Sequence, residues 1–389
     1  MPAATKEPEF YRLEPPGSTP TSLKFYFISI ACKCVNAASL RPSGSPIQSI
    51  SGIIVHAMQP AKKAPVTLTI DEVKELAAAD MRAVDHLIRD SLRSDVALVS
   101  QVSEYIVTSG GKRLRPLVVL LATRALGYTS DLHVHAAAII EFIHTATLLH
   151  DDVVDSSARR RGRDTANTVF GNQASVLVGD FLYSRAFQMM VDIGSMKVMQ
   201  ILADATNTIA AGEVMQLMNV HDADVTEEAY RQVIYRKTAR LFEAGAQIAA
   251  VFAERTPADE PAMITYGQNL GTAFQLVDDA LDYDASPKEL GKNLGDDLAE
   301  GKTTLPLIYV MKNGSDAERK LIRAAIESAG IDQLDAVQAI VESTGALRYT
   351  LTCAQNAADV AIDAISGLPE SAYKQALVAI AEFSVSRRS

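Results

Sequence analysis

The chain has 389 residues, 48% of them hydrophobic and 22% charged, with a formal net charge of −10. That length and balance suit a globular protein with a large core, as one large domain or two smaller ones, and disfavour nucleic acid or an anionic membrane surface as the main partner. Cys32, Cys34 and Cys353 are too few for a disulfide framework, and Cys32-Lys33-Cys34 has neither redox nor zinc-knuckle spacing, so a reducing cytoplasm is the simplest compartment.

Residues 1–65 are rich in Pro, Ser and Thr, lack a sustained helical period and close on Met58-Gln59-Pro60-Ala61-Lys62-Lys63-Ala64-Pro65, which reads as linker. They are expected to be a disordered extension. A targeting peptide would be Arg-rich and poor in acids, whereas this segment has few Arg and carries Glu7, Glu9 and Glu14. A flexible tail, or untranslated upstream sequence with the true start at Met58, fits better. The best early apolar stretch, Phe25–Val35, is short and broken by Lys33, and no run of about 18 uncharged apolar residues occurs, so no transmembrane segment is expected.

From Thr69 onward the pattern is helical. Thr69-Ile70-Asp71-Glu72 has capping-box spacing, and Val73, Leu76, Ala77, Met81, Val84, Leu87 and Ile88 form an apolar stripe. Helices are predicted over 114–126, 132–155, 171–192, 196–218, 226–253, 260–283, 303–312, 315–329, 332–344, 346–366 and 370–385. Strand signals are scarce. The fold class is therefore all-α, with residues 66–389 as a single large helical bundle. His133 and His135 read as loop residues.

Two of those helices end in the same acidic pattern, Asp151-Asp152-x-x-Asp155 and Asp278-Asp279-x-x-Asp282. At i, i+1 and i+4, each set of carboxylates projects from one helix face within about a turn of 3.6 residues. Thr147-Leu148-Leu149-His150 precedes the first and Phe274-Gln275-Leu276-Val277 the second, so neither is framed as a solvated face. Clustered carboxylates in apolar surroundings need cations. Oxygen ligands with room for phosphate suit Mg²⁺. Two such clusters facing each other would hold a polyphosphate between metals.

These motifs occur in a wider series. It comprises Gly110-Gly111-Lys112-Arg113-Leu114-Arg115-Pro116, His144 seven residues before Asp151, Arg160-Arg161-Gly162, Gly179-Asp180, Lys237-Thr238, Gln275 before Asp278, then Gly291-Lys292, Gly295, Asp297 and Gly301-Lys302. In that order they resemble the trans-isoprenyl diphosphate synthases, most closely the long-chain bacterial polyprenyl type, and the resemblance runs from about residue 70 to the C-terminus. It implies a homodimeric helical bundle with a central cavity. It also implies a reaction in which an allylic diphosphate primer, such as farnesyl diphosphate, ionises and isopentenyl diphosphate adds to the cation.

By the same resemblance Asp151, Asp152, Asp155 and Asp278 are the main Mg²⁺ ligands, supported by Asp279 and Asp282, with about three Mg²⁺ per site once diphosphate is bound. Arg160, Lys237, Lys302 and Lys292 match contacts to the allylic diphosphate, while Thr238 and Gln275 match residues beside the reacting allyl group. Lys112, Arg115, His144 and Arg161 match a metal-free pocket for isopentenyl diphosphate. Arg159-Arg160-Arg161-Gly162-Arg163 also reads as a nucleic-acid patch, but beside an acidic triplet in an acidic chain diphosphate binding is the better fit. Ser156 and Ala158 stand where family members often carry acids, at positions that are not ligands.

A growing product would run down the helix that bears Asp151, past Ala146 and Thr147, where short-chain members of the family carry an aromatic ring. Small residues there imply an open tunnel and a long product, octaprenyl by resemblance, for a ubiquinone or other quinone side chain. Heptaprenyl, solanesyl and decaprenyl lengths are the alternatives. A class I terpene cyclase would need no isopentenyl diphosphate pocket, and a non-catalytic synthase subunit would be expected to lose motif carboxylates; this chain keeps both features.

Overall fold

The computed structural model describes residues 68–108, 110–160, 162–284 and 294–386. The extension expected over 1–65, Arg161 and Lys292 fall outside them. The first helix, α1 (Ile70–Leu76), begins with the expected capping box: Glu72 N donates to Thr69 Oγ1 at 3.3 Å while Thr69 N donates to the Glu72 carboxylate at 2.7 Å. The helix breaks at Ala77 and resumes as α2 (Ala78–Ser91), so the single amphipathic stripe is carried by two helices.

Next comes α3 (Ala97–Thr108), which the apolar periodicity did not announce; Val99, Val102, Ile106, Val107 and Thr108 are β-branched and weaken its helix signal. After it run α4 (Leu114–Ala125) and α5 (Leu132–Val154). A two-residue antiparallel ribbon follows, β1 (Arg159–Arg160) and β2 (Arg163–Asp164), pairing Arg159 with Asp164 and Arg160 with Arg163. The chain continues through α6 (Ala166–Phe170), α7 (Asn172–Ile193), α8 (Met196–Met218) and α9 (Glu227–Ile234). A π turn over Tyr235–Ala239 joins α9 to α10 (Arg240–Ala253), and α11 (Asp259–Asp282) follows. The remainder is the short α12 (Asp296–Ala299), then α13 (Leu305–Asn313), α14 (Asp316–Ser328), α15 (Leu334–Ser343), α16 (Ala346–Ala364) and α17 (Ala372–Ser386).

The all-α expectation holds among the described residues. The core is built around α5, whose Ile139, Ile140, Ile143 and Leu149 are fully buried against α4, α7 and α10. α5 alone among the described helices is long and apolar enough to cross a membrane, which the sequence reading did not anticipate; but 72% of its most apolar stretch is buried inside the protein, as a core helix requires. His133 and His135 lie in its first turn and not in a loop. His133 is buried, 3.2 Å from Asp80.

α11 lies against α10 and α16. Gly267 and Gly271, one turn apart, make the α10 crossing close: an added Cβ would sit 2.6 Å from the Phe242 carbonyl oxygen at the first and 2.6 Å from Ala239 Cα at the second. This crossing brings the π turn beside the C-terminal half of α11, where the second acidic motif lies.

Candidate active site

The first acidic motif closes α5. Asp151 and Asp152 occupy its last turn and Asp155 is its C-cap, at the negative end of the helix dipole, where carboxylates are disfavoured unless cations approach. Each carboxylate has its own cation. Lys237 Nζ lies 3.7 Å from Asp151 Oδ2, Arg160 Nε donates to Asp152 Oδ1 at 2.7 Å, and Lys302 Nζ donates to Asp155 Oδ2 at 2.8 Å. Three of the four expected allylic-diphosphate cations, Lys237, Arg160 and Lys302, are thus brought together from the π turn, the ribbon and the segment before α13.

Burial raises the Asp151 and Asp152 carboxyls above the usual range, with Lys237 and Arg160 respectively opposing the shift. Burial works against the Lys302 charge, but Asp155, Glu300 and Asp297 outweigh it and raise its pKa. Lys302 also donates to the Glu300 carboxylate.

The second motif ends α11, and its three carboxylates differ in surroundings. Asp279 is 2% exposed and accepts from two side chains, Gln275 Nε2 to Oδ1 at 2.7 Å and the Tyr230 hydroxyl to Oδ2. Burial pushes it up to about 8, and Asp297 and Asp278 add to the shift while those two hydrogen bonds oppose it. Asp282, also buried, accepts from Asp296 N at 3.2 Å and Asp297 N at 3.1 Å, pinning α12 to the end of α11. Asp278 is half-buried.

Lys237 and Thr238 share the π turn, a distortion found at functional sites in many helices. Besides Asp151, Lys237 Nζ donates to Glu213 Oε2 at 2.6 Å and Gln216 Oε1 at 2.7 Å. Thr238 Oγ1 donates to Gln275 Oε1 at 2.8 Å. Burial pushes Glu213 up to about 7 against the pull of Lys237, with Asp151 adding to the rise. Burial likewise pushes Tyr183, near Asp151 and Glu213, up to about 12. A cavity of about 650 Å³ opens among Lys237, Thr238, Gln275, Asp279, Asp297 and Lys302.

The other expected pocket is partly assembled. Arg115 Nη1 lies 3.2 Å from His144 Nε2, and its guanidinium stacks 4.6 Å above the Phe242 ring centroid. A guanidinium has no acceptor, so Nε2 accepts and the histidine proton sits on Nδ1. Lys112 is exposed, with Nζ 5.7 Å from the Phe383 ring centroid. Gly110 at φ 74° and Arg113 at φ 48° hold this loop in the left-handed region, and Arg113 Nη1 is tied to Glu141 Oε1 at 2.6 Å. A cavity of about 550 Å³ lies between this loop, His144 and Arg160.

Ala146 is fully buried, in the apolar cluster that includes Leu149, Val178 and Leu182. Thr147 is half-buried and donates to the His144 carbonyl at 2.8 Å. His150 turns toward α7, stacked on Tyr183 with ring centroids 6.1 Å apart and 3.3 Å from Asp180, in keeping with its having no assigned role. Sequence reasoning passed over Glu213, Gln216, Tyr183, Tyr230 and Glu300. Each is a single polar residue in a helical or loop stretch, and nothing local marks it out.

Among the described residues no group of three or more acidic, imidazole or thiol side chains is arranged to hold a metal ion by itself. Asp151 and Asp155 on one helix and Asp278 on another are half-buried carboxylates.

Residues 96–344 match the polyprenyl synthetase family. The chain belongs to that family. It is 52% identical over 321 residues to the octaprenyl diphosphate synthase of Escherichia coli, covering 82% of this chain and 99% of that one. To the Haemophilus influenzae octaprenyl diphosphate synthase it is 54% identical, covering 82% and 98%. Its fold is similar to a crystal structure of a polyprenyl synthase from Caulobacter crescentus complexed with calcium and isoprenyl diphosphate, with a TM-score of 0.80, 44% identity and coverage of 83% and 99%. As a polyprenyl synthetase it is a prenyltransferase of the all-α isoprenoid synthase fold.

Proposed function

We propose that the protein is a long-chain trans-polyprenyl diphosphate synthase that condenses isopentenyl diphosphate onto an allylic primer, farnesyl diphosphate, to give octaprenyl diphosphate for a quinone side chain. The observation that carries this reading is the one-to-one pairing of Asp151, Asp152 and Asp155 with Lys237, Arg160 and Lys302 beside a second carboxylate cluster. Such a balanced field is built for an anion that arrives with its own metal ions.

Asp151, Asp155 and Asp278, the half-buried members, would hold Mg²⁺, while Asp152, Asp279 and Asp282 are buried and engaged by protein donors. When bound, Mg²⁺ supplies electrostatic stabilisation of the departing diphosphate. Arg160, Lys237 and Lys302 lie within side-chain reach of that anion and strengthen the same effect through charge-assisted hydrogen bonds. Arg115 and His144, with Lys112 on the preceding loop, orient the second diphosphate so that the double bond of isopentenyl diphosphate faces the allylic carbon. The allylic C–O bond breaks, a C–C bond forms, and one proton leaves to restore the double bond; diphosphate is released.

We place the enzyme in the cytoplasm as a homodimer. The complete carboxylate sets favour catalysis over a regulatory subunit, and the Arg115–His144 pair favours chain elongation over cyclisation. Purified protein incubated with radiolabelled isopentenyl diphosphate, farnesyl diphosphate and Mg²⁺ should form elongated products, of octaprenyl length by chromatography after dephosphorylation. No elongated product would refute the activity, and another length would refute only the product assignment.

A further inference from the structure

We propose that Tyr230 is a positioning residue for prenyl transfer, acting through Asp279 and Gln275 to orient the hydroxyl of Thr238. The inference rests on the prenyltransferase reading above and names a residue that the acidic, basic and glycine motifs do not contain.

Four side chains from α9, the π turn and α11 form one hydrogen-bonded chain. Tyr230, on α9, donates its hydroxyl to Asp279 Oδ2; Gln275 donates Nε2 to Asp279 Oδ1 at 2.7 Å; Thr238 donates Oγ1 to Gln275 Oε1 at 2.8 Å. With Asp279 ionised, every proton in the chain points toward it. An amide has one donor end and one acceptor end, so once its NH₂ is committed to the carboxylate only its carbonyl can meet Thr238. The Thr238 hydrogen is then committed too, and its lone pairs are what that hydroxyl can offer to the cavity it lines. Oxygens presented lone pair first stabilise positive charge, which is the charge an ionising allylic diphosphate leaves behind.

Tyr230 makes this direction unique. Asp279 is 2% exposed even where it borders the cavity, and the Tyr230 hydroxyl is the donor to its Oδ2. Without the hydroxyl one carboxylate oxygen is left unpaired, and the carboxylate is free to rotate and release the Gln275 amide. The ring of Tyr230 is 4% exposed and packs with Leu276 and Val277 of α11, so Tyr230→Phe keeps the packing and removes only the donor.

The test is a double-mutant cycle on the full chain with Tyr230→Phe and Gln275→Ala, reading kcat, both KM values and thermal unfolding. Tyr230→Phe should lower kcat about ten-fold with KM for each substrate changed by less than about two-fold, and this kcat effect should vanish in the Gln275→Ala background. The stability loss should persist in both backgrounds. An equal kcat factor in both backgrounds would show a merely structural tyrosine and overturn the inference. Should Tyr230→Phe fail to fold, Asp279→Asn replaces it in the same cycle: relay membership again requires non-additive kcat, whereas additive losses overturn the inference. An unmutated protein that makes no elongated product would refute the prenyltransferase reading itself, and that control is run first.

Discussion

Asp151 shows what a carboxylate at the carboxyl end of a helix requires. The dipole, the burial and the neighbouring Asp155 all disfavour its charge, and Lys237 offsets them in part. Asp151→Ala should therefore lower activity by orders of magnitude by removing a proposed metal ligand. Asp278→Ala should do the same from the other cluster, and both should keep wild-type helicity by circular dichroism because neither side chain is part of the apolar core. Full activity in either variant would contradict a site built on two clusters. Glu213 gives a pH signature. Its carboxyl is raised from 4.5 to about 7, so the stability its neutral form contributes is complete below the unfolded value and is lost as pH rises through the folded one. Glu213→Gln stays neutral throughout. In metal-free buffer its melting temperature should gain on the wild type as pH rises from about 4.5 to about 7 and gain no further above that. A gap that does not change with pH would show that Glu213 titrates normally.

At the scale of elements, α5, α7, α8 and α11 were legible because their apolar spacing is uninterrupted, and both acidic motifs could be placed at helix ends from sequence alone. What was not legible has physical causes. The β-branched residues of α3 hide a helix whose stability comes from packing on α6 and α7. The π turn at Tyr235–Ala239 has no local signal, since the sequence reads as one helix from α9 to α10. The pairs Lys237–Asp151 and Lys302–Asp155 join residues far apart in the chain, so motif order suggests that they share a site but cannot say which cation meets which carboxylate. The division within the second motif, with Asp279 and Asp282 engaged internally, depends on Tyr230 and on the α12 amides and is invisible in the Asp-Asp-x-x-Asp pattern. Ala146 carries the element-level prediction. It is buried on α5 in the cluster shared with α7, and under the proposed function a lengthening apolar chain would pass it. Ala146→Phe should shorten the product to farnesyl or geranylgeranyl length while retaining turnover, read by chromatography of dephosphorylated products. Overpacking alone would instead lower the melting temperature and leave the product length unchanged.

For the whole molecule, the distribution of exposed apolar side chains bears on assembly. Scattered exposed aliphatics need no explanation, but a concentration on adjoining helices marks a surface that another protein covers. Leu177 (66% exposed) and Val191 (63%) on α7, with Val214 (59%) and Leu217 (61%) on α8, lie on two helices joined through Gly194 and Ser195, and in the proposed homodimer they would form the covered face. α7 and α5 are extensively packed together, so a second copy of this chain seated on α7 would buttress the helix that ends in Asp151. A stable homodimer needs about 1,200 Å² or more of buried surface, within reach of two long helices and their twofold mates. Leu177→Glu combined with Val191→Glu should therefore halve the mass measured by light scattering at about micromolar concentration while helicity is kept, because both side chains point away from the core and charge there opposes only association. An unmutated protein of monomeric mass under the same conditions, or a double variant that still dimerises, would exclude this face as the interface.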